Sequence, residues 1–217
     1  TRFRVKGFKN LIDADLRFGP LTCVAGANGA GKSNVFDAIR FLSELADKPF
    51  VEASREIRGG EDVRALWSRQ RPGRMEFLAE MLIPSQGFDD FGQPAVASAT
   101  FVKYELALVL EDDPDHPSGE RIRLDYEHLT YIPKSKYREH LYFPYKKEWL
   151  DSVALNTKRT TSFISTEHSA GRGSVVRLQS DRMRQEEKSQ RGGGKASGFN
   201  ADKLPRTVLS SAQTADE

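Results

Sequence analysis

The chain carries one cysteine, Cys23, in 217 residues. A single thiol excludes an internal disulfide framework and leaves a redox role without a partner. The four histidines, His116, His128, His140 and His168, stand far apart with no cysteine neighbours, so no metal-type spacing exists. No apolar run approaches the roughly 20 residues that a membrane-spanning helix needs. Arg2, Arg4 and Lys6 interrupt the start of the chain where a signal peptide would be apolar. These absences point to a reducing cytoplasm and away from a membrane. Neither charge sign dominates: 33 basic residues face 31 acidic ones, a net charge of +2. Composition alone therefore does not announce a nucleic-acid binder. Apolar residues make up 38% of the chain and the mean hydropathy is −0.58, which predicts a modest core with exposed lobes. No Asn-Lys-x-Asp is present to select guanine, and Asp89-Asp90-Phe91-Gly92 offers an Asp-x-x-Gly only as loop composition. No strained nucleophile turn supports Ser-His-Asp chemistry.

What is present is concentrated near the start. Residues 26–33 read Gly26-Ala27-Asn28-Gly29-Ala30-Gly31-Lys32-Ser33, a G-x-x-x-x-G-K-[ST] phosphate-binding loop. Its glycines let successive backbone N–H groups turn toward phosphate oxygens. Lys32 is placed to reach the β- and γ-phosphates of a nucleotide, and the Ser33 hydroxyl to ligate Mg²⁺. The motif has meaning only between a strand and a helix. Leu21-Thr22-Cys23-Val24-Ala25 reads as a short buried parallel strand, with Cys23 a core thiol. Val35, Ala38, Ile39, Leu42 and Leu45 fall at helical spacing on one face, and the N-terminus of that helix points its partial positive charge at the phosphates.

The flanks narrow the class. Asn28 and Asn34 extend the loop to G-x-N-G-x-G-K-S-N, followed by Phe36-Asp37-Ala38-Ile39; upstream, residues 3–10 alternate as a strand ending in Phe8-Lys9-Asn10. This layout, over about residues 1–46, resembles the N-terminal head segment of the SMC/RecF/OLD-like ATPases, the ABC-type branch of P-loop proteins. The resemblance implies ATP and Mg²⁺ as cofactors, with residues 26–33 as their cradle. It places Lys9 and Asn10 beside the nucleotide and gives Asn34 and Asp37 structural and Mg²⁺-shell roles. It implies an α/β fold: a P-loop NTPase half-domain with an antiparallel β-lobe.

Farther along, Pro49 stops the loop helix near Ala46. Residues 51–73 read as an irregular helical stretch broken at Gly59-Gly60, with Val63, Leu66 and Trp67 docking on the core. From Arg74 the period becomes two: Met75, Phe77, Ala79, Met81 and Ile83, then Val102, Tyr104, Leu106, Leu108 and Leu110, then Ile122, Leu124 and Tyr126. Residues 84–98 and 112–119 are turn-rich, and short strand-like pieces recur at 162–165 and 175–178. This is an antiparallel meander. The predicted organisation is a P-loop core segment over 1–73, a β-lobe over 74–179, a mobile linker over 180–203, and the start of a further core segment over 204–217. In the last piece the family would place a glutamine that touches Mg²⁺ and the attacking water, and Gln213 is the candidate.

Between the meander strands, Lys134, Lys136, Arg138, Lys146, Lys147, Lys158 and Arg159 crowd together with Tyr131, Tyr137, Tyr142, Phe143, Tyr145 and Trp149. Such a stretch can hold phosphates and stack on bases. It can equally be a solvated loop whose aromatics tuck into a neighbouring core, and Glu139, Glu148 and Asp151 dilute its charge.

An ABC-type ATPase also needs four apolar residues followed by Asp-Glu, and a Ser-Gly-Gly type signature. No signature is present. Leu108-Val109-Leu110-Glu111-Asp112 imitates the acidic segment, with its acids reversed and inside an alternating run. The resemblance implies that these parts lie in a C-terminal segment of a longer protein, so catalytic residues are unassigned here. Three classes remain open. The first is an ATPase head whose ATP-bound, head-to-head homodimer closes on DNA in repair or anti-phage defence. The second is a small P-loop kinase using Arg182, Arg184 and Arg191 as a lid. The third is an ATP-sensing regulator that recruits an effector nuclease or toxin subunit.

Overall fold

The computed structural model describes residues 1–88, 94–114, 119–155, 161–169 and 173–178. The expected linker over 180–203, the segment over 204–217 with Gln213, the lid arginines, and Lys158 and Arg159 lie outside the described residues.

Two strands open the chain, β1 (Arg2–Phe8) and β2 (Leu11–Arg17), followed by α1 (Lys32–Asp47), α2 (Phe50–Arg55) and a 3-10 turn at Val63–Leu66. Then come β3 (Arg74–Leu82), a small pair β4 (Gln86–Phe88) and β5 (Pro94–Val96), β6 (Phe101–Asp112) and β7 (Glu120–Tyr131). A helical cap follows: a 3-10 turn at Lys134–Lys136, α3 (Tyr137–His140) and α4 (Lys147–Val153). The last described strands are β8 (Ile164–Ser169) and β9 (Gly173–Leu178). Seven strands form one sheet in the order β2-β1-β3-β6-β7-β8-β9, and each pairing in it is antiparallel. The mixed α/β class and the meander are therefore present. The division expected at residue 73 is not a break in the sheet, because β1 lies between β2 and β3.

Alternation sets the faces. Phe3 and Val5 of β1 and Met75, Phe77 and Ala79 of β3 turn to the core, while Arg2, Arg4, Lys6, Arg74 and Glu76 turn to the opposite face. At the end of β1 the pattern breaks, and Phe8 is fully buried directly after Gly7. Gly7 has φ 73, and a Cβ there would stand 2.3 Å from the Arg74 carbonyl oxygen. Only glycine allows this close, left-handed step. It drives the Phe8 ring between Phe41 and Phe77, at centroid distances of 5.8 and 6.0 Å.

α1 buries Val35, Ala38, Phe41 and Leu45, and Leu42 packs partly against the same cluster. Ile39, expected on that face, is exposed beside Phe36. The reason is Phe41, whose ring meets Phe8, Phe50 and Phe77 and so centres the buried stripe on its own side. Trp67 and Leu66 close this end of the core, as the sequence predicts.

A second break occurs in β7. Ala107 pairs with Tyr126 but Leu108 pairs with Leu124, so Asp125 is an extra residue. The bulge inverts the parity: Leu124 faces the core, then Glu127 and Leu129 do, while Tyr126 and His128 turn outward. Residues 108–112 run along β6 against β7, and Glu111 accepts a hydrogen bond from Arg123 at 2.6 Å. They form the end of an antiparallel strand, not a Mg²⁺-binding acidic segment.

Candidate phosphate-binding site

The phosphate loop follows β2 through an extended connector. Residues 21–25, expected to be a buried parallel strand, form no strand, and Leu21 is 94% exposed. Cys23 is likewise exposed, not a core thiol. The physical reason is the lack of a partner: a strand needs a neighbour to take its amides, and among the described residues none pairs with this run.

The loop itself turns through two left-handed glycines into α1, on the helix side of the motif. Gly29 and Gly31 adopt φ 81 and 95, and Gly31 caps α1 in the left-handed region with no side-chain cap bond. The first turn of α1 contains no acidic residue. Among the described residues the amides of Gly29, Gly31, Lys32 and Ser33 have no backbone acceptor. Uncapped amides, an unopposed helix dipole and an ammonium at one point form an anion site. Among the described residues Lys32 Nζ has no carboxylate partner; it donates to the Gly26 and Ala27 carbonyls, each at 2.6 Å. Those acceptors are weak neutral ones that phosphate oxygens outcompete. The donor set therefore fits a nucleotide triphosphate. Ser33 is exposed at the mouth of the loop, and no cluster of three or more metal-type ligands occurs among the described residues. The phosphates themselves would have to supply part of any Mg²⁺ shell.

The neighbouring residues act as a brace. Asn10 Nδ2 donates to Gly29 O at 3.3 Å, and Asn34 Nδ2 donates to Asn10 Oδ1 at 2.8 Å. Asn10 thus touches the loop at the Gly29 carbonyl. Lys9, in a left-handed turn at φ 49, sends its Nζ to Asp37 Oδ2 at 2.7 Å and to Arg58 O at 2.6 Å. Arg58 donates to the same Asp37 oxygen at 2.9 Å and to Asn34 Oδ1 at 3.2 Å. Lys9 is thus engaged in an ion pair with Asp37, and Asp37 meets two cations in a structural role at the start of α1, whereas the resemblance implies for Lys9 a place beside the nucleotide and for Asp37 a Mg²⁺-shell role as well. Arg58, which nothing in the local sequence singles out, ties the stretch after α2 to the first turn of α1.

Elsewhere the structure separates what the sequence groups together. Tyr137 is buried, and Phe143, Tyr145 and Trp149 contact one another at 5.6–6.4 Å in a second cluster around Phe101, Ile132 and Leu141. Tyr142 alone is exposed in the cap, with Arg17 stacked 3.8 Å from its ring centre. Lys134 is paired with Asp151 at 2.8 Å. Lys136, Arg138, Lys146 and Lys147 are exposed. His128 bridges Ser162 at 2.6 Å and Glu105 at 3.5 Å on the outward sheet face, with neither strained backbone nor metal partners, consistent with a strand-face residue.

Away from the loop, the carboxyl of Glu127 is buried at 1% exposed. Burial pushes its carboxyl up to about 7, only partly opposed by the hydrogen bond from Tyr104 Oη at 2.9 Å. Burial also raises the Tyr104 hydroxyl. Both lie in the core of the sheet, remote in sequence from the loop, and belong to stability.

Residues 21–86 match the family model described as "AAA domain, putative AbiEii toxin, Type IV TA system". The chain is 38% identical over 63 residues to the DNA replication and repair protein RecF of Porphyromonas gingivalis, covering 29% of this chain and 17% of that protein. It is 32% identical over 88 residues to RecF of Klebsiella pneumoniae, covering 40% and 25%. It is 53% identical over 38 residues to the OLD nuclease of Thermus scotoductus, covering 18% and 7%. The matches thus span a quarter or less of each relative's length. No solved structure matches the chain. The resemblance to SMC/RecF/OLD-like AAA ATPases read from the motif is borne out as a partial similarity, to a family model over residues 21–86 and to RecF and OLD nuclease proteins. No described helix is long and apolar enough to cross a membrane.

Proposed function

We propose that this chain is the ATP-binding, N-terminal part of an SMC/RecF-like ATPase whose ATP-driven head dimerisation acts on DNA. The observation that carries this reading is the start of α1: a left-handed Gly31, uncapped amides, and Lys32 with no acid beside it among the described residues. In this reading residues 26–31 wrap the phosphates with their amides and Lys32 neutralises the β- and γ-oxygens. Ser33 contributes a hydroxyl to Mg²⁺. The triphosphate supplies the anionic bridge between two heads, and its loss reopens them. Asn10 and Asn34 hold the loop's curvature, while the Lys9–Asp37–Arg58 cluster fixes the helix behind it.

Turnover needs an acid pair and a signature that the described residues do not contain, so hydrolysis is assigned to further segments of the protein. The exposed connector at Leu21 and the exposed Phe36 and Ile39 on α1 support this reading, since both offer apolar surface for such segments to cover. The test is titration of a fluorescent ATP analogue with Mg²⁺ into the wild-type chain and Lys32→Ala. Removing the ammonium should weaken binding at least about 10-fold, the scale of one charge-assisted contact. Equal affinity in the two proteins would show the cradle to be misassigned.

A second reading is favoured by the description of the matched family and by the OLD nuclease similarity. Here the chain senses ATP and governs an effector nuclease or toxin. A nuclease or toxin subunit that copurifies with the full protein, with no ATP-dependent dimer on a sizing column, would select it.

A further inference from the structure

The outward face of the sheet neutralises its cations. Arg2 pairs with Asp15, Arg4 with Asp13, Lys6 with Glu76, Lys103 with Glu105, and Arg123 with Glu111 and Asp125. The helical cap over residues 134–153 does not. Lys136, Arg138, Lys146 and Lys147 are all exposed, and among the described residues none of them makes an ion pair. Arg17 adds a fifth cation at the cap's edge, held there by Tyr142. Glu139, Glu148 and Asp151 are the exposed acids of the cap; Asp151 is taken up by Lys134, and against the other two the four cations keep the balance positive.

The cap is also a fixed platform. Tyr137, Leu141 and Ala154 are buried against Phe101 and Ile132, and Phe143 and Trp149 pack behind them. His140 Nδ1 lies 3.0 Å from Glu80 Oε1 of β3, with no hydrogen bond formed there. The cap therefore presents its free cations from short helices pinned to the sheet, not from a loose loop.

The same packing removes the aromatic surfaces that unpaired bases would need. Tyr137 is inside, Phe143, Tyr145 and Trp149 stack on one another, and one face of Tyr142 is covered by Arg17. A strand with splayed bases finds little to stack on. Phosphates need only the cations.

We propose that the cap over residues 134–153 binds the sugar–phosphate backbone of duplex DNA, without reading sequence, through Lys136, Arg138, Lys146 and Lys147. This deepens the DNA-acting reading above and rests on it. Gly19, on the connector from β2 to the phosphate loop, lies against Phe143 of the cap.

The test measures affinity for a labelled 30-base-pair duplex of random sequence, and for a single strand of the same length, across 50–200 mM salt. Wild type is compared with a quadruple Lys136→Glu, Arg138→Glu, Lys146→Glu, Lys147→Glu variant and with the milder quadruple glutamine variant. Four phosphate contacts carry a salt slope of about 3.6. Wild-type duplex affinity should therefore fall about 150-fold more than that of the glutamine variant over this fourfold salt range. Circular dichroism and ATP-analogue binding should be unchanged in both variants. An unchanged salt slope in the variants overturns the cap as the contact surface while leaving a DNA-acting protein intact. Tighter binding of the single strand, lost in Tyr142→Ala, overturns the backbone mode in favour of stacking. Equal retention of polyglutamate shows an acidic protein surface to be the partner instead. Wild type that binds ATP but no DNA removes the cap proposal and the DNA-acting reading together, and leaves the nucleotide site standing.

Discussion

Replacing Gly31 with alanine tests the phosphate loop at the point where its backbone and its brace meet. Gly31 has φ 95, and a Cβ there would stand 2.8 Å from Asn10 Oδ1, 3.2 Å from Asn10 Nδ2 and 3.2 Å from Leu11 Cδ2. Left-handed backbone costs alanine about 1–2 kcal/mol. The Asn10 amide ends a flexible side chain and can swing aside, so the steric part is small by itself. Swinging aside breaks the hydrogen bonds to Gly29 O and from Asn34 Nδ2. Both are solvent-exposed, and together they contribute about 1 kcal/mol. The sum predicts a loss of about 2–3 kcal/mol in urea denaturation, with an unchanged slope. A double-mutant cycle separates the parts. In an Asn10→Ala background the same substitution should cost only the backbone strain, leaving a coupling of about 1 kcal/mol between the two sites. Strictly additive costs would refute the contact between Asn10 and the loop. Wild-type stability in Gly31→Ala would refute the left-handed start of α1, and with it the direction of the amides. ATP-analogue affinity should fall in parallel, because those amides no longer converge.

Glu127→Gln should stabilise the protein at alkaline pH. The folded carboxyl is raised to about 7, above its unfolded value, so the fold prefers it protonated. Its burden is absent at acidic pH, grows as pH rises from the unfolded value to the folded one, and is complete above that. The glutamine still accepts from Tyr104, so urea melts at pH 8 should show a gain of about 3 kcal/mol that nearly vanishes at pH 4; a pH-independent effect would contradict the buried carboxyl. Cys23 should react with a thiol reagent in the native protein at the rate of an unfolded control, since it is exposed beside an unpaired connector. Protection of that thiol would mean that residues 21–25 are covered.

Much of the architecture is legible in the chain because its signals are local. Lys32 opens α1 and Lys48 closes it, just before Pro49. β3 and β6 occupy the runs where the period is two. The small β4–β5 pair lies in a turn-rich stretch and leaves no trace in the pattern, because three-residue strands carry too little alternation to register. In the site, the phosphate loop was readable from its motif. The commitment of Lys9 and Asp37 to each other was not, because it spans 28 positions and depends on how the β1–β2 turn lies against α1. Arg58 carried no signal: an exposed arginine after a short helix looks like any other until Asn34 and Asp37 are beside it.

The sequence alone determined the chemistry of the phosphate loop, the length of its helix and the strand-rich meander, since each follows from residue types within a few positions of one another. Only the tertiary structure decided which face each residue takes. One bulged residue, Asp125, turned Glu127 inward and His128 outward. One ring, Phe41, rotated the buried stripe of α1 away from Ile39. Packing on Phe101 drew the cap's aromatics inside and left its lysines in water. Faces are fixed by neighbours distant in the chain, and no local pattern can supply those neighbours.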